Sequence, residues 1–100
     1  MKIGEVQIEN IVCSERTEFK LDSKHHVSLR EARQIFFSRP RIRFVEEGHT
    51  IGEDVYAAFG QTLGGRYLSV FFIYKPARKT AVIISARDMS DKERKAYGRK

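Results

Sequence analysis

The hydrophobic residues of one central stretch recur every three or four positions, which predicts a helix with one buried face. They are Leu29, Ala32, Ile35 and Phe36. Ser28 and Glu31 form a capping box at the start of this stretch, in which each side chain can bind a backbone N–H of the other residue. Pro40 ends the helix, because proline cannot continue it, and biases Arg39 toward an extended backbone.

Serine residues mark two further helix starts. Ser14 can cap a helix that runs through about Asp22, although few apolar residues line it. Ser90 and Glu93 repeat the capping box and predict a short last helix through about Tyr97.

After Pro40 the hydrophobic period becomes two or nearly continuous, which predicts strands. Ile42 and Phe44 alternate with Arg41 and Arg43, so the two arginines share the other side of a half-buried strand. Residues 67–74 and 80–86 are rich in Val, Ile and Phe, which is typical of central strands covered on both faces. The remaining predicted strands lie at 55–59 and around Val6, Ile8, Ile11 and Val12.

The short connections between the later strands favour antiparallel pairing, since a parallel pair needs a long crossover. We therefore expect an α+β fold: a small curved antiparallel sheet with the N-terminal helices on one face and a short C-terminal helix. One hundred residues suit a single domain, and we place it over residues 1–100.

The formal net charge of +6 is concentrated in two basic regions. Residues 28–45 carry 5 Lys and Arg against 1 acidic residue, and residues 75–100 carry 9 against 3. Such clusters suit a polyanion such as RNA, and they equally suit an acidic protein or a solvated surface.

Several classes of protein are disfavoured. Cys13 is the only cysteine, so no internal disulfide forms, and the first residues lack the apolar run of a signal peptide. No apolar stretch approaches the roughly 20 residues of a membrane span. We expect a cytoplasmic protein without membrane contact. One cysteine and three histidines lack the spacing of a metal site, and no phosphate-binding glycine loop indicates a nucleotide cofactor.

Three segments, in this order, resemble the BrnT family of toxins. The first is Lys24-His25-His26-Val27-Ser28 followed by Arg30-Glu31-Ala32, and the second is Gly65-Arg66-Tyr67-Leu68. The third is Ile84-Ser85-Ala86-Arg87 followed by Lys92-Glu93-Arg94 and Tyr97. The sequence departs from the family pattern at His26, where glycine is common, and at Val55, where members with a Gly-Glu-x-Arg motif have arginine.

The resemblance implies a RelE-like fold and a metal-independent endoribonuclease that cuts messenger RNA and arrests translation. It also implies a partner, a ribbon-helix-helix antitoxin resembling BrnA, and no cofactor.

Arg87 is the leading catalytic candidate. Metal-free RNA cleavage passes through a doubly charged phosphorane, and a guanidinium offers such a group a planar fork of permanently charged donors. Arg87 lies at the end of a buried strand, where its backbone should be held rigidly. The structural alternative is an ion pair with Asp88, Asp91 or Glu93.

Four other basic residues are candidates for contact with the RNA backbone. Arg66 follows Gly64-Gly65, where a ligand could approach the backbone closely, so we also count it as catalytic. Lys24 lies in the first motif, and Arg41 and Arg43 share a strand side. Each of them could equally be an exposed surface charge.

Three residues could move protons or touch the scissile phosphate. His25 has the right type for a general acid or base, or it packs beside a helix end. Glu53 could act as a base if the sheet brings it near Arg66 or Arg87; otherwise it holds a basic neighbour. The Tyr97 hydroxyl could reach the phosphate, or its ring could simply cover the sheet.

Two other kinds of function remain open. The chain could be a non-catalytic module that binds RNA or an antitoxin without cleavage, as the departures at His26 and Val55 would allow. It could also be a structural partner protein with no RNA contact.

Overall fold

The computed structural model describes residues 6–98, which form an open five-stranded sheet and three helices. The helices are α1 (Glu15–His25), α2 (Leu29–Phe37) and α3 (Asp91–Gly98). The strands are β1 (Asn10–Val12), β2 (Arg41–Glu46), β3 (Val55–Gln61), β4 (Tyr67–Lys75) and β5 (Thr80–Asp88), and a short 3-10 helix, Pro76–Arg78, joins β4 to β5. The predicted α+β class is confirmed.

The strand order is β1-β5-β4-β3-β2, and the sheet is mixed. Strands β2 to β5 pair antiparallel as predicted, but β1 pairs parallel with β5, so the expectation of a wholly antiparallel sheet is corrected there. The short-connection argument does not apply to β1, because most of the chain separates it from β5. Val6 and Ile8 lie outside β1 and pack against the core.

Serine side chains start all three helices, as predicted. Ser14 accepts a hydrogen bond from the Thr17 N–H at 3.1 Å, and α1 continues past Asp22 to His25. The two reciprocal bonds of the Ser28 and Glu31 capping box are both 3.0 Å long. At the start of α3, the Glu93 N–H donates to Ser90 Oγ at 3.1 Å, and the Ser90 N–H donates to Glu93 Oε1 at 3.0 Å.

Helix α1 ends at His26, whose φ of 53° is in the left-handed region. The His26 N–H donates to the Asp22 carbonyl and the Val27 N–H to the Leu21 carbonyl, each at 3.1 Å. The bond from the His26 N–H to the Asp22 carbonyl is that of the αL helix ending, and Leu21 and Val27 are both buried next to it. Glycine would adopt this conformation without strain, so it would suit position 26.

Helix α2 ends before Pro40 as predicted, but Arg39 is not extended. Its φ is 56°, in the left-handed region, so that expectation was wrong. The chain has only Ser38, Arg39 and Pro40 in which to leave α2 and enter β2, and this tight reversal overrides the local preference set by proline.

The two faces of the sheet differ in how far they are covered. Helices α1 and α2 pack on one face and bury the main core, which includes Leu21, Val27, Ala32, Ile35, Leu68, Val70 and Phe72. Here α2 approaches β3 so closely that a Cβ on Gly60 would lie 2.6 Å from Ser38 Oγ. The opposite face, which we call the open face, carries Ala57, Phe59 and Phe71, and α3 covers only part of it through Tyr97. The prediction that the N-terminal helices share one face is therefore confirmed for α1 and α2, and the short C-terminal helix α3 lies on the opposite face.

A bulge in β5 determines the face of the sheet on which the Arg87 side chain lies. Phe71 and Phe72 are consecutive on β4, yet they oppose Ser85 and Ile83, so Ile84 is an extra residue. Because side chains alternate along a strand, this extra residue reverses the faces that follow it. Arg87 consequently lies on the open face, and without the bulge it would point toward α1 and α2.

Candidate functional site

Arg87 is held by α3 at the end of β5, opposite Ser69. Its Nη1 and Nη2 donate to Glu93 Oε1 and Oε2 at 2.7 and 2.9 Å, which is a bidentate ion pair. Nη1 also donates to the Asp88 carbonyl at 3.1 Å, and the guanidinium lies 5.1 Å from the centre of the Phe71 ring. Of the three ion-pair partners considered for Arg87, the structure selects Glu93.

Glu93 is the acceptor that fixes this arrangement. Its Oε1 accepts from Ser69 Oγ at 3.0 Å as well as from Arg87 and the Ser90 N–H. The hydrogen bonds from Arg87, Ser90 and Ser69, with the charge of Arg87, lower the pKa of Glu93 to about 2, against the opposing effect of burial. The first turn of α3 is thus tied to Arg87 by an ionised carboxylate. Sequence reasoning treated Glu93 only as a cap and a potential ion-pair partner.

Between β2 and α3 lies a cleft of about 400 Å³, which we call the α3 cleft. Its lining combines two arginines with aromatic and aliphatic side chains: Arg41, Ile42, Arg43, Phe59, Glu93, Ala96 and Tyr97. A neighbouring hollow of about 260 Å³ contains Arg87 and Phe71 and shares Arg43, Phe59 and Glu93 with the cleft. The two cavities therefore adjoin on the open face.

Arg41 and Arg43 face the same side of β2, as predicted, because they pair with Phe59 and Ala57 of the open face. Arg41 Nη1 donates to the carbonyl of Ala96 at 3.2 Å, close to the end of α3. The side chain of Arg43 is exposed and makes no hydrogen bond or ion pair within residues 6–98. The Tyr97 ring meets the Tyr67 ring edge to face at 6.0 Å between centres.

Arg66 lies elsewhere, at the junction of the two N-terminal helices. Its Nη1 donates to the His26 carbonyl at 2.6 Å and to Glu31 at 3.2 Å, and its Nη2 donates to the His25 carbonyl at 3.1 Å. Nε and Nη2 donate to the two carboxylate oxygens of Asp88 at 2.8 and 3.3 Å. All five N–H groups are used, so this arrangement leaves none for a phosphate.

The electrostatics of this junction follow from the same contacts. The hydrogen bond to Asp88 raises the pKa of Arg66, and the hydrogen bond from Arg66 lowers the pKa of Asp88. His25 adds a smaller lowering of the pKa of Asp88, which places it near this carboxylate. His25 and Lys24 are both exposed at the end of α1.

Glu53 is at the far end of the sheet. Its Oε2 accepts from Lys75 Nζ at 2.7 Å. Lys75 is six residues along β4 from Ser69, the neighbour of Arg87, which is about 20 Å in a strand. The eight candidate residues therefore fall into three places. Arg41, Arg43, Arg87 and Tyr97 come together on the open face, Arg66 lies with Lys24 and His25 at the end of α1, and Glu53 is separate.

Between residues 6 and 98, no group of three or more His, Cys, Asp and Glu side chains is arranged to hold a metal ion. None of the helices in that range is long and apolar enough to span a membrane.

These features define a small α+β protein with a cationic and aromatic cleft on one sheet face. Residues 17–93, about three quarters of the chain, match the family model described as the ribonuclease toxin, BrnT, of type II toxin-antitoxin systems. The chain therefore belongs to the BrnT family. A comparison with curated proteins found no match for it. Family membership makes it a type II ribonuclease toxin, which implies an RNA substrate and an antitoxin partner.

Proposed function

We propose that this chain is a RelE-like, metal-independent endoribonuclease that cuts messenger RNA and thereby inhibits translation. Its RNA site is the α3 cleft together with the hollow at Arg87. The observation that carries the proposal is the gathering of Arg41, Arg43 and Arg87 around an aromatic floor on one open sheet face. Guanidinium groups attract the phosphates of RNA and position its backbone.

In this proposal Arg87 neutralises the phosphorane. The two N–H groups of Arg87 Nη1 donate to Glu93 and to the Asp88 carbonyl. One N–H of Nη2 also donates to Glu93. Nε and the second N–H of Nη2 make no hydrogen bond within residues 6–98, and they present an edge to the phosphate. A fixed guanidinium needs little reorganisation as charge develops, which is the main advantage of a preorganised site.

The 2′-oxygen attacks the phosphorus and its proton passes to solvent water, while the bond from phosphorus to the 5′-oxygen breaks. We assign proton donation to this leaving oxygen to Tyr97, which lines the cleft. His25 and Glu53 lie outside the cleft lining, so the proposal routes no proton through either of them. Lys24 and Arg66 likewise lie outside the cleft and take no part in this scheme.

We further propose that the antitoxin is a ribbon-helix-helix protein resembling BrnA. Membership of a type II family supports the existence of an antitoxin, and the sequence resemblance supports its class. Co-expression with the product of a neighbouring gene of that class should restore growth and yield a stable complex.

The deciding assay incubates the purified protein with end-labelled RNA in excess chelator. We expect products with 2′,3′-cyclic phosphate ends, and we expect Arg87→Ala and Arg87→Lys to cut at least 100-fold more slowly, the usual effect of losing a transition-state donor. Arg87→Lys keeps the charge but loses the planar fork. Arg30→Ala, which changes an exposed arginine on α2, is the control and should cut normally. Equal cutting by the Arg87 variants would overturn the assignment.

The alternative is a module that binds RNA without cutting it. The bidentate ion pair between Arg87 and Glu93 favours this alternative, because the carboxylate already accepts hydrogen bonds that Arg87 could donate to a phosphate. It predicts RNA affinity that falls with salt and RNA that stays intact after long incubation. The same chelator assay separates the two functions.

A further inference from the structure

We propose that the α3 cleft is a nucleobase-binding subsite that takes one unpaired base of single-stranded RNA beside the phosphate at Arg87. This inference rests on the function proposed above and names what the cleft itself recognises.

The size and lining of the cleft suit a base better than a phosphate. Its volume of about 400 Å³ lies in the range of sites that bind small molecules. A phosphate alone would need only a few hydrogen-bond donors and no cleft of this size. Phe59 and Tyr97 give it aromatic walls, and Ala96 adds aliphatic surface. Bases splayed out of single-stranded RNA bind by stacking on such rings and on guanidinium planes.

The two arginines of the cleft differ in a way that fits this use. Arg41 donates a hydrogen bond to the Ala96 carbonyl, which places its guanidinium in the wall next to α3. Arg43 has no partner within residues 6–98 and lines both cavities. A nucleotide whose base enters the cleft would place its phosphate between Arg43 and Arg87.

The positive charge of the lining favours RNA over a protein segment as the occupant of the α3 cleft. The cleft and the adjoining hollow are lined by three arginines and one carboxylate, and that carboxylate is already paired with Arg87. A polyanion that also carries flat aromatic groups satisfies both features. The strongly exposed aromatic residues Phe19 and Phe37 lie on α1 and α2, away from this face.

The test compares two RNA oligomers of equal length, both made uncleavable by 2′-O-methylation, one of them with abasic positions. Affinity is measured by fluorescence anisotropy. The protein should bind the oligomer with bases about tenfold more tightly, as expected when a stacking contact is present. Tyr97→Leu keeps an apolar side chain but removes the ring, and it should bring this ratio close to one.

A second variant guards against misfolding. Ala96→Leu enlarges an exposed residue of α3 and narrows the cleft without removing any packed side chain, and it should also abolish the preference for bases. Phe37→Leu changes an exposed aromatic residue on α2 and should leave the ratio at about ten. Thermal melting checks the fold of each variant.

The outcomes separate this inference from the proposed function. If the wild-type protein binds both oligomers equally while it still cuts RNA, the subsite is overturned and the ribonuclease stands. If the tenfold preference survives in both Tyr97→Leu and Ala96→Leu, the bases bind elsewhere and the subsite is again overturned. If no RNA binds or is cut, both proposals fail.

Discussion

Replacing Glu93 with glutamine tests how much the contact between α3 and Arg87 stabilises the fold. The pKa of Glu93 falls from 4.5 to about 2. A shift of this size corresponds to roughly 3 kcal/mol, at about 1.4 kcal/mol for each pKa unit. The Glu93 side chain is 22% exposed and that of Arg87 is 36% exposed. Solvent screening of such a half-open pair reduces the expected loss in Glu93→Gln to about 1 to 2 kcal/mol at pH 7.

The lowered pKa of Glu93 also determines how the stability difference between the wild type and Glu93→Gln changes with pH. Because the pKa of Glu93 is lower in the folded protein, its stabilising effect is complete above the unfolded value near 4.5 and disappears as the pH falls toward 2. Urea unfolding of both proteins between pH 7 and pH 2.5 should show a difference that shrinks across this window. A difference that stays constant from pH 7 to pH 2.5, or none at pH 7, would refute the reasoning. Glu47→Gln, at an exposed position in the loop after β2, is the matched control.

The remaining predictions concern one residue each. His26→Gly should raise the stability by about 0.5 to 1 kcal/mol, because glycine adopts the left-handed conformation without strain; a thermal melt should rise by a few degrees, and His26→Ala should show no such gain. Arg66→Lys should destabilise the fold by about 1 to 3 kcal/mol, since one ammonium cannot replace five donors. RNA affinity of that variant, measured below its melting temperature, should change less than twofold, and a large loss of affinity in a stable protein would restore Arg66 to the site. Val55→Arg adds a cation on the side of β3 that carries Ala57, so RNA binding should tighten. The slope of log affinity against log salt concentration should become steeper by the equivalent of about one phosphate contact.

The features that sequence predicts well are set by neighbours in the chain. Ser14, Ser28 and Ser90 each cap a helix through a backbone N–H three residues away, so the signal and the structure lie in the same short segment. The alternation of Arg41 and Arg43 with Ile42 is similarly local, and it places both arginines on one face.

The features that sequence misses depend on distant pairings. The parallel partner of β1 lies some 70 residues further along the chain, as the pairing of Ile11 with Ala81 shows, and no local pattern marks it. The bulge at Ile84 follows from the register between β4 and β5, although it decides where Arg87 points. Sequence reasoning therefore grouped Arg66 with Arg87 as two phosphate contacts, whereas the fold puts their guanidinium groups in separate networks.

Those two networks meet at one strand end, and this couples stability to the proposed chemistry. Arg87 and Asp88 are adjacent on β5, so their side chains point to opposite faces. Asp88 binds Arg66 and through it the ends of α1 and α2, while Arg87 binds Glu93 and through it α3. The segments that resemble the BrnT family contain Arg66 and Glu93, which help to join the helices to the sheet, and Arg87, which is proposed to bind the phosphate. A loss of activity after mutation at either arginine is informative only alongside a measurement of folding, because only Arg87 is expected to change cleavage in a protein that remains folded.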